Sequence, residues 1–239
     1  VVVPLPPSFA DTRAALQRVA THVVARRRHG LAGRFGLRAT PGGFGMPAAG
    51  PDHEVLRTAG TWLVRERTGA EPATSRLDLT SASLADAAAF AEVDLGQPFE
   101  AGHDTPALGD LAAPLGVAAE AADVLAGWWA LGWTALDAAV GALPAPVDAS
   151  IVQLWPEHFD AACDVAAGSS RANLGASPGD AGHDEPYLYV GPWGDERPGP
   201  DGYWNAPFGA VLGRSTLLGA GDPLAAAVAF LSEGLRRLG

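Results

Sequence analysis

Between Trp155 and Tyr189 the chain gathers the residues best suited to chemistry. "WPEHFD", residues 155–160, sets His158 and Asp160 two apart. On a strand's two-residue period they share a face, close enough for the carboxylate to orient the imidazole. His158 is therefore the expected acid or base, and Asp160 its orienting partner. "SPGDAGHDE", residues 177–185, brings Ser177, Asp180 and His183 together with further carboxylates, and Tyr187 and Tyr189 follow at strand spacing. Trp155, Ser177, Asp180, His183, Tyr187 and Tyr189 are the expected ligand-binding residues.

Other readings compete for the same side chains. Two histidines with carboxylates form the ligand set of a non-haem iron, zinc or manganese site. No HxxxH or HExxH spacing puts two ligands on one element, so no metal or other cofactor is assigned. A Ser177–His158–Asp160 triad would lack the GxSxG elbow that exposes a nucleophile. Ser177 and Asp180 also flank Pro-Gly, the chemistry of a type I or II turn whose side chains bond nearby backbone. His158 equally suits a satisfied, partly buried histidine. Trp155, Tyr187, Tyr189, Trp193, Tyr203 and Trp204 serve as core and rim, or as the walls of a pocket for a flat or sugar-like ligand.

The 239 residues are 48% apolar and 18% charged, a globular composition. All sixteen basic residues are arginine, which excludes a phosphate-loop lysine and a Schiff-base lysine. Residues 1–76 hold 11 Arg against 5 acids, and residues 77–239 hold 5 against 22, so charges of +6 and −17 make up the net −11. No Arg or Lys occurs from Leu77 to Ser170, and most of the surface would repel phosphate, so nucleic acid is not an expected partner. The single cysteine, Cys163, has no internal disulfide partner and no apolar leader opens the chain, so the expected location is cytoplasmic. "VLAGWWALGWTAL", Val124 to Leu136, is too short to span a bilayer and reads as a buried helix.

The elements that must position these residues follow from periodicity. Residues 9–29 place Leu16, Val19, Val23 and Val24 at helical spacing. "GRFGLRAT" is a short strand ended by a Pro-Gly turn, and "TWLVRERT" and "TSRLDLTS" alternate as antiparallel strands. Ser83 caps a helix beginning "LADAAAF". Residues 94–116 form a connector, and a long helix runs from Val117 to Leu143. "SIVQLWPEHFDAACDV", "SRANLGASPGD", "EPYLYVGPW" and "GAVLGRSTLL" read as strands, although Pro156 implies an edge or bulge in the first. Asp222 and Pro223 open a last helix.

"LRATPGGFG" and "LGASPGDAG" echo one another, as do "LADAAAF" and "LAAAVAF". His22 precedes Pro41 by 19 residues, and His158 precedes Pro178 by 20. The expectation is one α+β domain over 1–239, with antiparallel sheet or sheets covered by N-terminal, central and C-terminal helices. Its pseudo-repeated halves would be 1–116 and 117–239.

At Thr40–Gly42, Ser83–Phe90, Trp128–Trp129, His158–Asp160, Ser177–Asp180, Glu185–Tyr189 and Asp222–Phe230 the chain resembles a family of uncharacterised bacterial proteins, a domain of unknown function. The order of these motifs covers most of the chain. It departs from the family in a longer connector at 94–116 and in lacking a second Phe in "HDEPYLYVGPW". The resemblance implies an architecture and transfers no catalytic residues. The expected function is a small-molecule site near the HFD and SPGD segments, open to an enzymatic role. The competing expectation is a non-catalytic binding or self-association module in which the acidic second half meets a partner, such as the Arg-rich first helix of another copy.

Overall fold

The computed structural model describes residues 3–168, 170–199 and 202–239. The chain is α+β, with two five-stranded antiparallel sheets and N-terminal, central and C-terminal helices. It divides into two compact units: residues 5–127 with 154–159, and residues 1–4 with 128–153 and 160–239. The division falls inside the central helix, later than the connector, and a six-residue segment returns to the first unit.

The Arg-rich unit opens with α1 (Phe9–Val19), a π-helical segment (Ala20–Ala25) and α2 (Arg26–Ala32). The expected single helix is thus helical throughout, with a π-helical segment in its middle turns. Gly33, at φ +65°, ends it in the left-handed conformation that glycine adopts without strain. The sheet follows in the order β1 (Arg38–Thr40), β2 (Gly43–Gly45), β3 (Val55–Ala59), β4 (Trp62–Arg67) and β5 (Ala73–Asp78). Pro41 and Gly42 make the two-residue turn between β1 and β2, where Thr40 pairs with Gly43 and Gly42 lies at φ +79°. β4 and β5 are antiparallel neighbours, as their alternation predicted. β2 and β3 carry no such signal and escape it.

Ser83 caps α3 (Leu84–Phe90) in a full capping box, its hydroxyl accepting from the Asp86 amide while the Asp86 carboxylate accepts from the Ser83 amide. The core includes Val19, Val23, Phe44, Leu56, Leu63, Leu84 and Leu125, all fully buried. Glu54 lies between Arg27 and Arg65, and Arg65 also reaches Glu92 at 2.8 Å.

In the acidic unit, the central helix α4 (Ala119–Gly141) contributes Trp128, Trp129 and Leu136 to the core. No helix among the described residues is long and apolar enough to cross a membrane. The second sheet runs in the order β10 (Ala210–Gly213), β9 (Tyr187–Pro192), β8 (Ser170–Ser177), β7 (Asp160–Ala167), β6 (Gln153–Trp155). Close approach of helix to sheet depends on glycine. A Cβ on Gly132 of α4 would stand 2.3 Å from that of Ala176, and one on Gly234 of the last helix 2.8 Å from Val190. That helix, α6 (Pro223–Leu238), has its Asp222 carboxylate capping the Ala225 amide.

Two expected strands are corrected. "SIVQLWPEHFDAACDV" is β6, a four-residue turn and β7. Pro156 has no N–H for a ladder, Phe159 adopts φ +61°, and its amide bonds back to the Trp155 carbonyl at 2.7 Å. The Phe159 ring is buried edge-on to Phe44 at 5.3 Å, and the Thr21 hydroxyl and Gln17 amide hold the carbonyls of Pro156 and Glu157. "GAVLGRSTLL" keeps its strand only to Gly213, after which α5 (Arg214–Leu218) begins.

Candidate functional site

The register of the acidic unit's sheet assembles most of the expected site. Ala162 pairs with Gly175, Gly175 with Tyr189, and Tyr189 with Val211, a row across four strands. Ser177 pairs with Tyr187 two rows away, on the same face, and Asp160 starts β7 beside the Ala161–Ala176 pair. Alternation then sends Asp160, Ser177, Tyr187 and Tyr189 to one face, while Cys163, Leu174, Leu188 and Val190 take the other.

Two tyrosine–carboxylate bonds organise that face. The Tyr189 hydroxyl donates to Asp160 Oδ2 at 2.5 Å, and the Tyr187 hydroxyl to Asp180 Oδ2 at 2.5 Å. Burial, then the Asp160 charge and hydrogen bond, raise the Tyr189 pKa well above the usual phenol value. Burial and Asp180 raise Tyr187 likewise. Burial alone would raise the Asp180 pKa. The Tyr187 hydroxyl, the amides of Gly182 and His183 and the His183 ring outweigh it and hold the carboxyl below its ordinary range.

The loop carries its own scaffold. Asp180 Oδ1 accepts from the Gly182 amide at 2.6 Å and the His183 amide at 3.0 Å, the Ser177 hydroxyl accepts from the Gly179 amide, and the Asp180 amide donates to the His183 carbonyl. These are the side-chain-to-backbone bonds that Pro-Gly turn chemistry predicts. The loop presents His183 with its ring 4.6 Å from Tyr187 and 6.5 Å from Phe208. Tyr189 stands 6.2 Å from Tyr187 and 6.3 Å from Phe208, so four rings form one contiguous set. Phe208 is 43% exposed, which leaves the set open to solvent. Phe208 was not legible as a site residue, because its strand and loop neighbours give it no periodic signal.

His158 and Trp155 belong to the other unit. His158 lies in the turn before β7 and not on a strand with Asp160. Its Nδ1 is 3.1 Å from Asp104 Oδ2, and His103 Nε2 is 3.1 Å from the same oxygen. A carboxylate does accompany the imidazole, but it comes from the connector. The Trp155 ring lies edge-on to Phe35 at 6.4 Å. Among the described residues, no group of three or more His, Cys, Asp and Glu side chains is arranged to hold a metal ion.

A feature that periodicity did not reveal lies in the Arg-rich unit. Under the connector is a cavity of about 470 Å³ whose lining includes His22, Arg26, Phe99, Glu100 and His103. His22 is 4% exposed and its Nε2 is 2.7 Å from the Pro106 carbonyl oxygen. The spacing of Arg18, His22 and Arg26, four residues apart, was the available signal.

Comparison with known proteins finds no matching family model, no matching curated protein and no matching solved structure.

Proposed function

We propose that the chain is a small-molecule-binding protein whose site is the aromatic face of the acidic unit. The observation that carries this reading is the contiguous set of His183, Tyr187, Tyr189 and Phe208, with the Tyr189 hydroxyl tied to the buried Asp160 and the Tyr187 hydroxyl to the exposed Asp180. The rings are held at fixed separations, Tyr187 is buried, and the set is open at Phe208 and His183, so a flat or sugar-like ligand would stack on that exposed edge. Binding is favoured over catalysis because both tyrosine protons are committed to carboxylates, and raised phenol pKa values make the hydroxyls poor bases and nucleophiles.

A thermal-shift screen with monosaccharides and planar heterocycles tests the reading. Stabilising compounds should lose most of their effect in Phe208→Ala and His183→Ala. Shifts that persist in both variants would place binding elsewhere and defeat it.

One observation favours the second reading, self-association. Burial and the nearby charges of Arg34 and Arg38 lower the Arg28 pKa, and none of the three arginines has an ion-pair partner among the described residues. An acidic surface of another copy would relieve that repulsion. Sedimentation velocity at low and high salt separates the readings: association that dissolves with salt supports the module, and a salt-independent monomer excludes it.

A further inference from the structure

The cavity beneath the connector is built by polar groups that the fold does not use up. His22 sits in the π-helical segment, a backbone form that is rare and occurs frequently at functional sites. Its Nε2 faces a carbonyl oxygen, which can only accept, so Nε2 carries the proton. Burial lowers the His22 pKa, the Pro106 bond opposes this, and the charges of Arg26 and Arg18 add to the lowering. The ring is therefore neutral and Nδ1 is an acceptor. No donor among the described residues reaches it, although the side chain is more than nine-tenths buried and lines the cavity.

Arg26 supplies the complementary half. One of its terminal N–H groups donates to the Gln97 carbonyl, and the guanidinium carbon lies 5.4 Å from the centre of the Phe99 ring. The other N–H donors of the fork have no partner among the described residues. A guanidinium held against an aromatic ring and a backbone carbonyl is preorganised to receive a carboxylate. Arg18, one helical step before His22, fastens the connector by donating to the carbonyls of Leu108 and Asp110, which keeps the roof of the cavity in place. Phe99, Pro98, Pro106 and Leu108 give the lining its apolar share, and Glu100, exposed, adds one negative charge that opposes a dianion.

We propose that this cavity binds a small organic acid with a hydroxyl beside its carboxylate: Arg26 holds the carboxylate, His22 Nδ1 accepts from the hydroxyl, and an apolar body lies along Phe99 and Pro98. The volume suits a ligand of about ten to fifteen non-hydrogen atoms, within the usual range for small-molecule sites. This site is separate from the aromatic face and does not depend on it.

Calorimetric titration of the full chain tests the proposal with mandelate, phenylacetate, benzyl alcohol and inorganic phosphate as probes. Mandelate should bind with a Kd of about 1 mM or tighter, and phenylacetate, which lacks the hydroxyl, about tenfold more weakly. Benzyl alcohol and phosphate should show no saturable binding. Arg26→Gln, a half-buried position on the helix, should weaken mandelate at least about tenfold with an unchanged circular dichroism spectrum. Absence of saturable mandelate binding up to about 10 mM overturns the proposal. So does equal affinity for mandelate and phenylacetate, equal affinity in Arg26→Gln, or tighter binding of phosphate. The comparison of mandelate with phenylacetate needs no variant, so a misfolded mutant cannot obscure the answer.

Discussion

The Tyr189 hydroxyl reaches Asp160 Oδ2 at 2.5 Å by laying its ring over Gly175, where a Cβ would stand 2.3 Å from the ring atoms Cε1 and Cζ. β8 lies between the strands of the two partners, and only a residue without a side chain lets the phenol cross it. Gly175→Ala should displace the ring, break the bond to Asp160 and destabilise the chain by about 1–3 kcal/mol. Urea unfolding read by circular dichroism measures the change. A loss below about 0.5 kcal/mol would show that the ring moves aside without cost.

The chain has three tyrosines, Tyr187, Tyr189 and Tyr203, and burial heads the causes that raise the pKa of each. A folded pKa above the unfolded value of 10.0 gives a contribution that is whole below pH 10 and fades as pH rises toward the folded value. Absorbance at the phenolate band should therefore stay flat through the ordinary tyrosine range in the folded chain and rise normally in denaturant. A native titration step near pH 10 would place at least one phenol in solvent.

Glu54 accepts from both Arg27 and Arg65 and its side chain is 4% exposed. Replacing it with Gln strips two guanidiniums of a buried counter-charge. Because Arg65 keeps Glu92, the expected cost is about 3 kcal/mol, at the low end for a broken buried pair. Equilibrium unfolding of Glu54→Gln reads it directly, and an unchanged midpoint would mean that the pair contributes nothing net.

The same network makes stability sensitive to acid. Burial would raise the Glu54 pKa, but the hydrogen bonds and charges of Arg27 and Arg65 outweigh it and hold the carboxyl below 4.5. The Arg65 hydrogen bond holds Glu92 at about 2. Both folded values lie under the unfolded one, so as pH falls the unfolded chain takes up protons first. This contribution is whole above pH 4.5 and is lost on descent toward pH 2. Unfolding midpoints measured down this range should fall, and the fall should be shallower in Glu54→Gln.

Cys163 is buried on β7, and burial pushes its thiol pKa up to about 12. The folded chain should leave an aromatic disulfide reagent unreacted over hours at pH 8, with one thiol released on unfolding. Prompt labelling of the native chain would contradict a thiol shielded on the core face of the sheet.

Much of this was legible in one dimension. Local chemistry determined the Ser83 capping box, the Asp222–Pro223 helix start, the Pro-Gly turns after Thr40 and Ser177, and the antiparallel pair β4 and β5, because each depends on neighbours a few residues apart. Alternation along β9 put Tyr187 and Tyr189 on one face, and Pro-Gly chemistry correctly placed Asp180 as a turn residue. Tertiary structure decided which carboxylate meets which partner. His158 and Asp160 are two residues apart, yet the left-handed Phe159 ends the strand logic that joined them. Asp104 then serves His158 and Tyr189 serves Asp160, at separations of 54 and 29 residues that no local period encodes. The π-helical turns at His22 and the roof of its cavity are likewise set by packing between distant segments. Hydrophobic period and turn residues report the cost of local conformations, whereas a site is made by which long-range contacts win, and that competition exists only in the folded chain.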